Sequence, residues 1–364
     1  MTRGMDHNSR EKLMKMPFLA QDLIVKILVR LPINSLLRFR CVCKSWRNLT
    51  FNPNFIQEYH LLHLSKYSFF LRDYDFSQNC YRNFFAWDDH PSQMMLETLD
   101  FPPRDLSIKA ASAGLLCCEL EDENPQWFVC NPATREIVEL PSADTEYETY
   151  TMVMFAQLSK PCNFKVMRLC PHVPTYPDWN CQVFDSRCWA WTALKDIILD
   201  PGFVIEDKCS AFVNGAFHWT VWHAVEPNFF ILAIHINDDN SIELTELPQP
   251  VAAAATIAES EGCLSLVNHS VDTVDVWVLN DYHSRVWAKK YVVNLGEFIE
   301  APLDQVHIMA FLGEILVIEK SGELFMYYVK SGRLSKVAVE NAVEHTGIKV
   351  FQYESTLLPC KNIV

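Results

Sequence analysis

The 364 residues are 49% hydrophobic and 21% charged, which excludes a disordered or fibrous chain and leaves room for a small module beside one or two larger domains. The net charge of −14 hides an asymmetry: residues 1–50 hold ten Lys/Arg against three Asp/Glu, so the remainder is strongly acidic. That acidic bulk argues against nucleic-acid binding by the larger part, while the basic head suits nucleic acid, an acidic protein partner or, most commonly, a solvated helix face.

No membrane partner or secretion is expected. The longest largely apolar run, Val251 to Ala258, is far short of the roughly 20 residues of a membrane helix. Met1 to Met16 is polar and charged, unlike a secretory signal. Thirteen cysteines, an odd number without regular spacing, fit a reduced cytosolic or nuclear compartment.

Residues 1–15 read as a flexible tail, and 16–64 as a helical module. Leu23, Ile27, Leu28 and Leu31 recur at the spacing of one helical face, with Asp22 in the first turn. Pro32 forces Leu31 towards extended geometry and ends that helix. Ser35 is the expected N-cap of a second helix reaching Leu49, with Leu36, Phe39, Cys43 and Trp46 as its apolar stripe. Asn52 and Pro53 mark the start of a third helix, on which Phe55, Tyr59 and Leu62 share a face. A module of about 45 residues rarely buries enough surface to stand alone, so its stripes need either the large domain or a separate partner.

From residue 65 the pattern is strand-like. Residues 65–106 read as a connecting segment with first strands (Ser68–Leu71, Phe84–Trp87) and a linker at Pro102-Pro103. Residues 107–360 read as one large all-β domain of short apolar runs, among them Leu115–Cys118, Trp127–Cys130, Ala216–Trp219, Phe229–Ile234, Val274–Leu279 and Ile315–Ile318. Only Asp304 to Ala310 suggests a further helix. The fold class is therefore α+β multidomain, helical head first. A weak repeat refines it: Gly114, Gly215, Gly262 and Gly313 each precede an apolar strand, at a period near 50 if one unmarked unit lies around Asn163 to Leu169. That period suits four-stranded, kelch-like propeller blades.

The head resembles the F-box, with Leu19, Asp22, Leu23, Ile27-Leu28, Leu31-Pro32, Ser35-Leu36, Arg38 and Val42-Cys43-Lys44-Ser45-Trp46-Arg47 at the family's positions and Ala20 where proline is usual. The large domain is similar to the F-box-associated domain of plant F-box proteins. Gly114-Leu115-Leu116-Cys117, Cys130-Asn131-Pro132-Ala133-Thr134-Arg135-Glu136, Val183–Trp189, Val213–Trp219 and Val274–Leu279 carry that likeness. The resemblance implies a plant protein that is the non-catalytic substrate-recognition subunit of a Skp–cullin–F-box ubiquitin ligase. Its F-box would bind the Skp-type adaptor, and through it a cullin, while the β domain holds a target protein. Adaptor contacts carried over are Leu19, Asp22, Leu23, Ile27, Leu28, Leu31, Pro32, Leu36, Val42, Cys43, Lys44 and Trp46. Two alternatives stay open: a propeller enzyme or small-ligand-binding protein with a helical appendage, and an F-box scaffold outside any ligase.

Other motifs have plain readings. Asn131-Pro132 initiates a turn in which Thr134 bonds the local backbone. Cys162, Cys170, His172, Cys181 and Cys188 lack the Cys-x-x-Cys spacing of a zinc site, and Cys41 and Cys43 diverge on the presumed second helix, so no metal is expected. No nucleophile elbow, metalloprotease motif or phosphate loop is present, and no cofactor is expected. His218 and His223 in apolar strands read as structural, and the ten tryptophans as packing between blades.

Overall fold

A computed structural model of the chain describes residues 20–63 and 68–361, apart from 76–79, 91–92, 121–124, 144–150, 158–161, 172–177, 195, 201, 226–227, 237–240, 249–254, 270–272, 283, 298–305 and 338–347. It divides into two compact units, Met1–His63 and Leu64–Val364.

The described residues of the first unit form four short helices. α1 (Gln21–Leu28) starts from Ala20, whose side chain offers no cap. α2 (Ile33–Phe39) is capped by the backbone of Pro32; Ser35 lies inside its first turn, donating its N–H to the Pro32 carbonyl at 2.9 Å, and is not the N-cap. The long second helix expected from the sequence is broken. Cys41 and Val42 bond three residues back, to Arg38 and Phe39, and Cys43 is extended at φ −160°. Cysteine and β-branched valine favour leaving a helix, and α3 (Lys44–Leu49) starts afresh from Cys43. Cys41 and Cys43 thus lie in a turn and at a cap, not on a helix. α4 (Pro53–Leu62) begins as its sequence predicts, the Asn52 side chain accepting from Asn54 N at 2.9 Å. Its buried face is Phe55, Ile56 and Tyr59. Leu62 is exposed instead, because His63 fills the next position of that row, stacked on Tyr59 and 2.9 Å from the Val29 carbonyl.

The second unit is a six-bladed propeller of antiparallel sheets. Blade 1 holds β1 (Ser68–Asp75), β2 (Cys80–His90) and β3 (Gln93–Leu99), the residues expected to form a connecting segment with first strands. Blade 2 holds β4 (Leu106–Ser112), β5 (Leu115–Leu120), β6 (Gln126–Asn131) and β7 (Glu136–Glu139). Blade 3 holds β8 (Thr151–Gln157), β9 (Asn163–Pro171), β10 (Asp178–Asp185) and β11 (Ala190–Ala193), with β12 (Ile197–Ile198) added on β10. Blade 4 holds β13 (Phe203–Val213), β14 (Ala216–His223), β15 (Phe229–His235) and β16 (Ile242–Glu246). Blade 5 holds β17 (Thr256–Ser260), β18 (Cys263–His269), β19 (Val274–Asp281) and β20 (Val286–Val293). Blade 6 holds β21 (Val306–Leu312), β22 (Ile315–Lys320), β23 (Glu323–Tyr328) and β24 (Arg333–Val337). β25 (Lys349–Gln352) then returns to blade 1 and pairs with β1, Phe69 opposite Gln352 and Arg72 opposite Lys349. The ring is closed by its last strand.

The repeat glycines occupy equivalent places. Gly114, Gly215, Gly262 and Gly313 each turn the first strand of a blade into its second at positive φ, and blade 3 fills the gap in the series. The helix suggested for Asp304 to Ala310 is a strand over its described part, since Val306–Ala310 belong to β21. A short apolar run interrupted only by His307 is too brief for its period to separate the two structures.

In blades 2 to 6 the second strands β5, β9, β14, β18 and β22 are buried on both faces, which explains why they read as continuous apolar runs, whereas the outer strands β7, β11, β16 and β20 are largely exposed or half-buried. Leu115 and Cys117 face blade 3, whereas Leu116 and Cys118 face blade 1. Phe69 and Leu71 pack on blade 6, and Phe70 on blade 2.

Candidate functional site: the apolar stripe of the helical head

α1 is apolar on more of its circumference than its own module can cover. Leu28 (1% exposed) and Val29 face inward, with Ile24 and Val25 half-buried beside them. Leu23 and Ile27, one turn apart, point outward at 49% and 51% exposure. Leu23, Ile27, Leu28 and Leu31 therefore do not share one face: a 100° step separates Ile27 from Leu28 and puts them on opposite sides of the burial boundary. Leu31 is half-buried, and its carbonyl accepts from the Tyr59 hydroxyl at 3.1 Å. Burial pushes the Tyr59 phenol up, so this donor keeps its proton.

The break between α2 and α3 produces a second exposed apolar group. Leu36 is buried in the core of the head. Phe39 (37% exposed) and Val42 (59%) stay outside, and the half-buried Trp46 ring meets Phe39 edge-on at 5.6 Å. Asp22, Pro32, Cys43 and Lys44 are exposed around them, and Leu19 lies outside the described residues. Of the twelve candidate contacts, Leu28 and Leu36 are core; Leu23, Ile27, Val42 and Trp46 are surface or half-surface. Phe39 joins the candidate surface; its three-residue spacing from Val42 was the signal for it. The surroundings are basic, with Lys26, Arg30, Arg38, Lys44 and Arg47 all exposed.

His218, wholly buried on β14 of blade 4, pairs through Nε2 with the hydroxyl of Tyr282, which follows β19 of blade 5. Burial lowers the His218 pKa to about 4. The unfolded chain, with a normal imidazole, takes up this proton first, so stability falls as pH drops from about 6.5 towards 4, by on the order of 3 kcal/mol. The expected result is a weaker acid dependence of the melting temperature in His218→Asn than in the parent; identical slopes would show that His218 carries none of it. Cys162 and Cys181 are buried in apolar layers, and burial pushes both thiols up. Cys170 is buried and Cys188 exposed, and His172 lies outside the described residues. Among the described residues, no group of three or more His, Cys, Asp or Glu is placed to hold a metal, and no helix is long and apolar enough to cross a membrane. The turn after β6 is held by Asn131, whose Oδ1 accepts from Ala133 N (2.9 Å) and Thr134 N (3.2 Å); the Thr134 hydroxyl expected to do this does not.

Comparison with known proteins agrees with both units. Residues 18–58 match the F-box domain family, and residues 88–359 match the F-box associated beta propeller domain family. An F-box protein of Arabidopsis thaliana is 26% identical over 93% of this chain and 97% of its own length. An F-box/kelch-repeat protein of the same plant is 25% identical over 90% of this chain and 92% of its own. Among solved structures, a fungal lectin from Aleuria aurantia is 11% identical, with a TM-score of 0.40 over 72% of this chain and 93% of the lectin. With three quarters of its length inside one family match and an F-box ahead of it, the chain belongs to the F-box proteins with an F-box-associated β-propeller.

Proposed function

We propose that this protein is a substrate receptor of a Skp–cullin–F-box ubiquitin ligase. The observation that carries the reading is the outward stripe of Leu23 and Ile27, with Phe39, Val42 and Trp46 as the second apolar group of the head. An aliphatic side chain contributes about 1.5–3 kcal/mol when fully buried, so such groups at a small module's surface favour a partner with an apolar groove. The ring of exposed Lys and Arg favours acidic groups at that groove's rim. Leu28 and Leu36 then act by holding the helices and do not touch the adaptor.

In this reading the chain supplies proximity, not chemistry: the propeller holds a target protein beside the ubiquitin-loaded enzyme recruited by the cullin. The test is co-expression of the full chain with a plant Skp-type adaptor and a cullin, followed by affinity capture. Both partners should come down with the parent chain and neither with a chain lacking residues 20–63. A folded chain that captures neither would remove the reading.

A further inference from the structure

The segment after β25 does not leave the propeller at the closing strand. Tyr353 is buried between blades 1 and 2, its ring edge-on to Phe70 and Phe85, and its carbonyl accepts from the Ser68 hydroxyl at 2.6 Å. The chain then crosses blade 2. The Asn131 amide donates to two of its carbonyls, Thr356 O at 3.0 Å and Leu358 O at 2.8 Å. Leu358 and Cys360 are inserted in the apolar layer between blades 2 and 3, where Cys360 N donates to the Glu136 carboxylate at 3.2 Å. Lys361 lies over the Trp189 ring of blade 3.

Two sequence features that mark blade 2 thereby gain a common purpose. Asn131 and Glu136 bracket one turn, and both hold this segment. The turn at Gly114 passes directly beneath it: a Cβ there would lie 2.1 Å from the Glu354 carbonyl oxygen, whereas Gly215, Gly262 and Gly313 have nothing within 4 Å. Asn131 is wholly buried, and all four of its side-chain bonds are made, two to its own turn and two to this segment. β25 alone offers a four-residue ladder to β1. Anchoring its exit to blades 2 and 3 couples that ladder to the neighbouring apolar layers.

We propose that residues 353–361 are a latch, clasped by the Asn131–Glu136 turn, whose docking makes the closing strand and its neighbouring blades one cooperative unit. Releasing the latch would open the ring at its closing seam, between β25 and β1, before any other.

The experiment is native-state hydrogen exchange on the full chain, comparing the parent with Asn131→Ala. Amides of 353–360, β25 and β1 are expected to exchange together, about tenfold or more faster, while β14, β18 and β22 keep their protection. Faster exchange confined to 354–360, with β25 and β1 unchanged, would overturn the proposal and leave a passive tail. Should Asn131→Ala fail to fold, Glu136→Ala removes only the clasp at Cys360. A smaller increase across the same three segments is then the expected result, and a change limited to the immediate neighbours of Cys360 is the contrary one.

Discussion

Ile27→Asp is expected to abolish binding of a Skp-type adaptor while leaving the melting of the protein unchanged. In the free chain Ile27 is half in solvent, so a carboxylate there keeps its water. Docked in an apolar groove, it would lose that water without gaining a partner, at several kcal/mol. With about 1.4 kcal/mol per tenfold, affinity should fall by about 100-fold or more. The neighbouring residue behaves oppositely. Leu28 is core, and Leu28→Ala should cost the head about 2–5 kcal/mol. That is enough to unfold so small a module, and excess adaptor should refold it by mass action. Titration calorimetry for binding and circular dichroism melts for stability separate the two. If Ile27→Asp binds normally, or melts the head as Leu28→Ala does, the division of α1 into a docking side and a core side is wrong.

The second large effect is expected at Gly114. Gly114→Ala and Gly262→Ala place alanine at the same φ, 79° and 78°, in equivalent turns of blades 2 and 5. Both pay the left-handed penalty of about 1–2 kcal/mol. Only at Gly114 does the new methyl meet backbone, the Glu354 carbonyl, and behind it Thr356. Relief requires lifting the chain away from the Asn131 amide and out of the apolar layer that holds Leu358. Several further kcal/mol follow, and at 2–4 °C per kcal/mol for a domain near this size the melting point should fall by roughly 5 °C or more below that of Gly262→Ala. Scanning calorimetry of the two variants decides it; equal melting points would mean that the Gly114 contact bears no weight.

What was legible in the sequence was what local rules control. The cap of α4 follows from Asn52 and Pro53 alone, and the apolar runs from Leu115 onward were strands because β-branched and aromatic residues cluster between turns. The spacing of the turn glycines showed the period and the gap that blade 3 fills, but not the number of blades, because blade 1 takes its first strand, β25, from the far end of the chain and has no such turn. What was hidden depended on distance in sequence. Asn131 makes a turn that its neighbours announce, but its two remaining bonds go to residues 225 and 227 positions away. His218 finds Tyr282 64 residues on, across a blade boundary. The sorting of α1 failed for a different reason: Leu23, Ile24, Val25, Ile27, Leu28 and Val29 are all apolar, so no periodicity separates the docking side from the core. That ambiguity is itself the trace of a helix with two apolar surfaces to cover. The break at Cys41–Cys43 was likewise masked, because Phe39, Cys43 and Trp46 keep a helical spacing across a turn that is not helical.

Adaptor docking on the outward side of the head can be read from a hydrogen-exchange footprint of the full chain with and without a plant Skp-type adaptor. New protection is expected over 21–46 and none over β1 to β25. Protection that falls on the propeller, or exchange that does not change anywhere while the two proteins co-elute, would contradict it.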